Sequence, residues 1–161
     1  MLLEYKINCE DFIENGLDGK DSMEAIKLIA CAGFDAVELS GVFITGGKST
    51  PSRPRINSQD KEAYFQTYAR EIKKEISIPL ILVGGMRSLE VAEQIVHEGT
   101  AKYISMSRPF IREPALIKRW KFGDRQKEKC KSDNLCFQPG FQGKGVYCVT
   151  EEREAQKRNG G

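Results

Sequence analysis

The sequence predicts an α/β fold made of four successive strand–helix units. Short runs of apolar and β-favouring residues alternate with longer segments in which apolar residues recur every three or four positions. The units follow one another at intervals of about 35 residues, enough for a strand, a helix and two loops. The run PLILVGG at 79–85 is almost continuously apolar, as expected of a parallel strand covered on both faces. The alternation therefore predicts right-handed crossovers and a parallel sheet.

The first part of the chain predicts two strands and one helix. Apolar and β-favouring residues from Leu2 to Asn8 form the first strand, which we expect to be buried. Asp21 can cap a helix whose C-terminal end is closed by Gly33. The segment FDAVELS at 34–40 is the second strand, and the Gly-, Ser-, Pro- and Thr-rich stretch 41–57 is a loop.

The next part of the chain repeats the alternation twice. The longest predicted helix covers Lys61 to Glu75, because apolar residues recur there at helical spacing and Ser58 can cap it. The other predicted elements are a strand from Pro79 to Gly85, a helix from Ser88 to Gly99, a strand from Lys102 to Met106 and a short helix near Pro114 to Trp120. Four such units fit either an open doubly wound sheet or half of a closed eight-stranded barrel, and periodicity leaves both open.

The composition changes beyond residue 122. We expect residues 1–122 to form the strand–helix unit and residues 123–161 to form a cysteine-containing, loop-rich tail with little core. Charged residues, three cysteines, a proline and four glycines up to Gly145 are typical of such a segment. The last stretch, from Glu151, is highly charged, and we expect it to fray.

Charge and apolar content limit the classes of partner. Lys and Arg total 25 against 23 for Asp and Glu, and the net charge of +2 gives no field strong enough to attract nucleic acid or an anionic membrane. No apolar run approaches the roughly 18 residues of a spanning helix, and the N-terminus lacks the pattern of a signal peptide. The odd count of five cysteines favours reduced thiols. We therefore expect a cytoplasmic protein that binds neither nucleic acid nor membrane.

The candidate ligand site lies where the predicted strands end, because parallel α/β folds bind ligands at the carboxyl ends of their strands. Gly84-Gly85-Met86-Arg87 follows the third strand and Ser107-Arg108 the fourth, so backbone N–H groups and an arginine meet beside helix N-termini. Such a group of donors suits a phosphate dianion. A plain tight turn with a solvated Arg108 explains the same residues equally well. The other strand-end residues to inspect are Lys6, Asn8, Ser40 and Gly41.

The segment PLILVGGMRSLEVAEQIVHEGTAKYISMSRPFIREPALIKRW at 79–120 resembles the Old Yellow Enzyme family of FMN-dependent oxidoreductases. The resemblance extends back through EYKINCEDF, VELSG and the segment Thr50 to Ile56, and forward into the cysteine tail. It implies that the chain is a (βα)4 half of a TIM (β/α)8 barrel, strands 5 to 8, with FMN at the C-terminal mouth. It implies NAD(P)H as the electron donor and a small molecule as the electron acceptor.

Five residues take cofactor-binding roles by this resemblance. Lys6 falls where the family has a basic residue near the flavin pyrimidine, a charge that stabilises the reduced, anionic flavin. Gly85 and Met86 match the phosphate turn after strand 7, and Ser107 with Arg108 match a Gly-Arg pair after strand 8, with serine in place of the glycine. The family's substrate-anchoring His/Asn pair and its Tyr proton donor belong to the first half of the barrel, so no catalytic residue is assigned.

The cysteine tail departs from the pattern by which longer family members hold a [4Fe–4S] cluster. Cys130, Cys136 and Cys148 fall at three ligand positions, but Asp133 stands at the second, and a carboxylate is a poor ligand for cluster iron. We therefore favour free or buried thiols over a cluster or zinc. Cys9 and Cys31 are expected to be packing residues, and His97, at the end of a helix, to be a surface residue.

The resemblance implies an NAD(P)H:flavin oxidoreductase of the ene-reductase kind, with hydride transfer through flavin N5. The alternative is a half-barrel that self-associates without competent flavin binding and has no catalytic role. In either case the open edges of a half-barrel predict a partner, either a second copy of this chain or the N-terminal half-barrel.

Overall fold

A computed structural model describes residues 1–42 and 50–160 and contains a sheet of four parallel strands. The strands are β1 (Glu4–Asn8), β2 (Ala36–Ser40), β3 (Leu80–Val83) and β4 (Tyr103–Ser105). Their order in the sheet is their order in the chain, so each strand pairs with the next one after a crossover connection. The predicted α/β fold with a parallel four-stranded sheet is confirmed. Part of the predicted loop 41–57 lies outside the described residues.

In the described residues, one helix follows each of the first three strands and four more follow β4. They are α1 (Gly19–Cys31), α2 (Gln66–Glu75), α3 (Leu89–His97), α4 (Arg108–Arg112), α5 (Leu116–Lys121), α6 (Phe137–Phe141) and α7 (Val149–Asn159). The cap of α1 is Asp18 rather than the predicted Asp21, because the Asp18 carboxylate accepts hydrogen bonds from the backbone N–H groups of Lys20 and Asp21. Within the described residues, no helix has the length and apolar character needed to cross a membrane.

The helix predicted from Lys61 to Glu75 is shorter than expected. A single 3₁₀ turn covers Gln59–Lys61, Glu62 is extended and Ala63 has a φ of +48°, so the regular helix α2 begins only at Gln66. The Glu62 side chain is drawn inward to the start of α3, which interrupts the helical path. Consequently α1, with 13 residues, is longer than the ten-residue α2.

The two faces of the sheet are covered differently. Val37, Leu39, Leu80 and Leu82 are fully buried beneath the helices. The opposite face presents one row of register partners, Lys6, Glu38, Ile81 and Tyr103, of which Lys6 and Tyr103 are exposed. Strand β1 was expected to be buried, but Glu4, Tyr5 and Lys6 are exposed, because β1 lies at the edge of the sheet and, among the described residues, nothing covers the face that carries Glu4 and Lys6.

The tail is more ordered than its composition indicates. Helix α7 occupies the stretch that was expected to fray, and Glu128 and Ser132 are 5% and 1% exposed. Cys9 is buried as predicted, whereas the prediction for Cys31 is wrong, since its side chain is exposed at the end of α1. His97 is exposed on α3, as expected.

Candidate functional site

A cavity of about 190 Å³ opens where the four strands end. The five residues singled out from the sequence, Lys6, Gly85, Met86, Ser107 and Arg108, all line it. These residues lie close together because the carboxyl ends of parallel strands are all at the same end of the sheet. The structure therefore brings together residues that lie about 100 positions apart in the chain.

The turn after β3 forms one wall of the cavity. Gly84 and Gly85 have φ values of +124° and +69°, and a Cβ at Gly85 would lie 2.6 Å from Cε1 of Tyr64. Only glycine fits this turn, for reasons of both conformation and space. Within the described residues, the backbone N–H groups of Gly85 and Met86 donate to no protein acceptor. Two donors are therefore left for a ligand at this wall.

Arg108 forms the opposite wall at the start of α4, and its guanidinium is held by neutral groups. Nη1 donates to Oδ1 of Asn134 over 2.5 Å, and Nη2 donates to the backbone oxygen of Arg53 over 3.0 Å. Arg108 is only 8% exposed, and no carboxylate of the described residues lies within 4.0 Å of its nitrogens. The cavity wall therefore carries a buried positive charge for which the described part of the chain supplies no counterion.

Arg87 also lines the cavity, but its charge is satisfied. Its guanidinium pairs with Glu128, which is fully buried, and donates to Ser132 Oγ and the backbone oxygen of Ile56. Burial lowers the pKa of the Arg87 guanidinium. No spacing in the sequence links Arg87 to Glu128 or Ser132, because both partners lie more than 40 residues downstream.

The N-terminus of α3 was expected to contribute donors for phosphate, and the structure corrects that expectation. Glu62 accepts hydrogen bonds from the backbone N–H groups of Arg87 and Ser88, each over 2.8 Å, and from Ser88 Oγ over 2.6 Å. A buried carboxylate thus caps this helix. The donors that remain for an anion are those of the turn after β3 and of the segment at Ser107 and Arg108.

Lys6 lies at the edge of the cavity on β1. Its ammonium pairs with Glu38, its register partner on β2, and 56% of its side chain is exposed. Partial burial lowers the pKa of Lys6, and the Glu4 carboxylate opposes that shift. Lys6 is therefore a neutralised charge at the mouth rather than an isolated one in a buried strand.

The tail cysteines differ in their contacts. Cys130 lines the cavity, whereas Cys148 contacts Arg112 Nη1 at 3.7 Å. Asp133 accepts hydrogen bonds from the Leu135 N–H, over 3.1 Å, and from Thr150 Oγ1. Across residues 1–42 and 50–160, no three Cys, His, Asp or Glu side chains are arranged to hold a metal ion.

Comparisons with known proteins identify the family of this chain. Residues 2–127 match the family described as NADH:flavin oxidoreductase / NADH oxidase. An NADH oxidase of Thermoanaerobacter brockii is 32% identical over 138 residues, which are 83% of this chain and 20% of that protein. The solved structure of a 2-naphthoyl-CoA reductase complex covers 88% of this chain and 21% of its own, with a TM-score of 0.72 and 24% identity.

A second solved structure has a similar fold. The old yellow enzyme homologue of Zymomonas mobilis superposes with a TM-score of 0.52 and 20% identity over 80% of this chain and 34% of its own. These solved structures support the fold, and the family match over residues 2–127 confirms the resemblance predicted from the sequence. The chain spans about a fifth of the length of the NADH oxidase it matches. The match over residues 2–127 places the chain in the NADH:flavin oxidoreductase / NADH oxidase family.

Proposed function

We propose that this chain is the FMN-binding part of an NAD(P)H:flavin oxidoreductase and corresponds to strands 5 to 8 of a TIM barrel. The proposal is based mainly on the environment of Arg108. Arg108 is buried beside the cavity at the strand ends, and within the described residues it has hydrogen-bond partners but no carboxylate. Such an arrangement favours an anionic ligand, and FMN is the anionic cofactor that the family name implies.

The free-energy cost of burying the Arg108 guanidinium favours binding of a phosphate beside it. Taking a guanidinium out of water without a counterion costs several kcal/mol, and a dianion would offset that cost. A guanidinium meets two phosphate oxygens with two parallel hydrogen bonds, and the free N–H groups of Gly85 and Met86 would add two more. The Ser107 backbone N–H, which also has no acceptor among the described residues, would complete the group of donors.

The size of the cavity indicates which end of the cofactor it takes. Its volume of about 190 Å³ is smaller than the roughly 300 Å³ at which pockets for whole ligands begin. We infer that it holds the phosphate end, while the ring extends across the strand ends toward Lys6. When bound there, FMN would supply the chemistry of hydride transfer from NAD(P)H through its N5 to a small electron acceptor.

Lys6 would act on the charge of the reduced ring. An ammonium near the pyrimidine edge stabilises negative charge there. Its pairing with Glu38 reduces that effect, because the carboxylate cancels much of the field. Lys6 therefore contributes little to binding of the neutral, oxidised ring.

A second candidate function is a half-barrel that self-associates without binding flavin. The exposed row that contains Lys6 and Tyr103 favours it, because parallel sheets are normally covered on both faces. A second copy, or an N-terminal half-barrel, would supply that cover. The two candidates differ in whether the purified chain binds FMN.

The test compares FMN with riboflavin, which lacks the phosphate. The wild-type chain should bind FMN at least tenfold more tightly than riboflavin, as measured by quenching of flavin fluorescence. Arg108→Ala should remove that preference, whereas Lys6→Ala should leave the affinity for oxidised FMN within about threefold, because the ring it faces is neutral. Equal affinity of the wild type for the two flavins would contradict the proposed phosphate site, and no binding of either would favour the non-catalytic half-barrel.

A further inference from the structure

Asn134 lies where the tail meets the arginine of the proposed phosphate site. Its Oδ1 accepts a hydrogen bond from Arg108 Nη1 over 2.5 Å, and its Nδ2 donates to the backbone oxygen of Ser52 over 2.7 Å. The Asn134 side chain therefore links Arg108 to the segment around Ser52, which follows β2 in the chain. Sequence reasoning assigned no role to Asn134.

The tail segment 128–134, here termed the strap, is anchored independently of Asn134. Glu128 and the Ser132 hydroxyl both contact the Arg87 guanidinium, and the Ser132 backbone oxygen accepts a hydrogen bond from the Arg55 N–H over 3.1 Å. The strap also places Cys130 in the cavity lining. It is therefore a wall of the site and not an appendage.

The kind of side chain at 134 decides the charge of the site. An amide oxygen orients a guanidinium without neutralising it, whereas a carboxylate of the same shape would do both. The two arginines of the cavity show both cases, since Arg87 is paired with Glu128 and Arg108 with the amide of Asn134. Asn134 has a φ of +62°, a conformation that asparagine and aspartate both tolerate. Backbone geometry alone would thus accept either residue.

We propose that Asn134 is a positioning residue of the cofactor site. It orients the Arg108 guanidinium toward the cavity and leaves its positive charge available to the phosphate of the ligand. The strap is thereby part of the flavin site. This inference rests on the proposed function, because it assumes that the ligand of Arg108 is a phosphate.

The decisive variant is Asn134→Asp, which gives Arg108 a carboxylate in place of the amide. We expect affinity for FMN to fall at least tenfold, while affinity for riboflavin stays unchanged. Inorganic phosphate should no longer raise the Tm of this variant. Its Tm in phosphate-free buffer should fall less than that of a glycine variant, because the new ion pair with Arg108 offsets the loss of the hydrogen bond that Asn134 Nδ2 donates to the Ser52 backbone oxygen. If Asn134 had a purely structural role, the variant with the smaller loss of stability would also lose less affinity for FMN.

Two further variants serve as comparisons. Asn15→Asp is the matched control, since Asn15 also has a positive φ, of +58°, but is exposed in the loop before α1. It should change neither FMN affinity nor the effect of phosphate on the Tm. Asn134→Gly keeps the backbone conformation and removes both hydrogen bonds. It should lower the Tm, and it should weaken FMN binding less than Asn134→Asp does.

The outcomes separate this inference from the proposed function. If the wild type prefers FMN to riboflavin and Asn134→Asp binds FMN equally well, the inference is wrong and the phosphate site stands. A fall of FMN affinity in Asn134→Asp that is no larger than in Asn134→Gly also overturns it. If the wild type responds to neither FMN nor phosphate, both proposals fail. If Asn134→Asp does not fold, Asn134→Gly decides. Unchanged affinity of Asn134→Gly for FMN overturns the inference, whereas a lower affinity for FMN with unchanged affinity for riboflavin supports it.

Discussion

At the scale of single residues, the partners of a side chain decide its role more than its type does. Arg87 and Arg108 line the same cavity and are both buried, yet one is paired with a carboxylate and the other with neutral oxygens. The first holds the strap, and the second keeps a charge that the proposed ligand would neutralise. Glu62 is likewise a structural carboxylate, because its oxygens are used at the start of α3.

Replacing Glu62 tests that structural role. Glu62→Gln keeps the volume but removes the charge that accepts three hydrogen bonds, so we expect the free energy of unfolding to fall by about 2 kcal/mol. Urea unfolding measures the change. The control is Glu71→Gln, because Glu71 forms an exposed ion pair with Lys74, and this substitution should change stability by less than about 0.5 kcal/mol. Equal effects of the two substitutions would contradict the role of Glu62.

The buried thiol of Cys9 should make stability fall at alkaline pH. Burial raises the pKa of Cys9 to about 12, whereas a thiol in the unfolded chain ionises near pH 8.5, an approximate reference value. Between these values the unfolded state binds fewer protons than the folded state, so the free energy of unfolding falls as the pH rises. Below the lower value the contribution is constant.

Substitution of single cysteines isolates this effect. Cys9→Ala should show a smaller loss of Tm between pH 8 and about pH 10.5 than the wild type, whatever its Tm at pH 8. Cys31→Ala, at an exposed thiol, should keep the wild-type slope. A wild-type slope in Cys9→Ala would show that other groups cause the alkaline loss.

At the scale of elements, the connection from β3 to α3 couples the sheet to the site. The Tyr64 N–H donates to the Gly84 backbone oxygen over 3.3 Å, and the rings of Tyr64 and Phe65 pack against the two glycines of the turn. The interruption before α2 places these rings there. The shortened helix is therefore part of the construction of the cavity wall.

Two glycines with nearly the same φ separate the effect of backbone strain from the effect of contact. Gly85 and Gly99 have φ values of +69° and +71°, but a Cβ at Gly99 would meet nothing within 4 Å. Each substitution by alanine should cost about 1 to 2 kcal/mol for the left-handed conformation. Gly85→Ala should cost more in urea unfolding, because Tyr64 must move, and it alone should weaken FMN binding. Equal losses of stability, or unchanged FMN affinity in Gly85→Ala, would contradict this account of the turn.

At the scale of the whole molecule, the described residues cover only one face of the sheet. The helices bury one face, while the other presents exposed residues such as Tyr103. Strands β1 and β4 are the edge strands of the sheet, and each pairs with one neighbouring strand in the described residues. A second copy related by a two-fold axis along the strands could place β1 of each copy beside β4 of the other. Such a dimer would cover the open face and remove every edge of the sheet.

Light scattering tests this assembly. We expect the wild-type chain to have a mass above its monomer value of 18.1 kDa at micromolar concentration. Tyr103→Lys puts a charge on the open face and should shift the protein toward the monomer. Leu28→Lys, at a 72% exposed position on α1, should leave the mass unchanged. A wild-type mass near that of the monomer, independent of concentration, would contradict the paired half-barrels.

The sequence by itself determined the order and type of most elements. Periodicity identified the four strands and the helices that follow the first three, because a strand of period two and a helix of period 3.6 leave different apolar patterns. The ends of the predicted strands also identified the glycine turn and Arg108, because ligands of parallel α/β folds bind at the carboxyl ends of the strands. The resemblance assigned these residues to a flavin site, and the comparisons confirm the family.

Only the tertiary structure decided which charges are neutralised. Pairing of Glu128 with Arg87, of Glu62 with the start of α3 and of Asn134 with Arg108 depends on contacts between segments more than 20 residues apart. Such contacts leave no periodic signal, because they follow from how the tail and the loops fold over the sheet edge. The same holds for the exposure of β1, which depends on its place at the edge of the sheet rather than on its own residues.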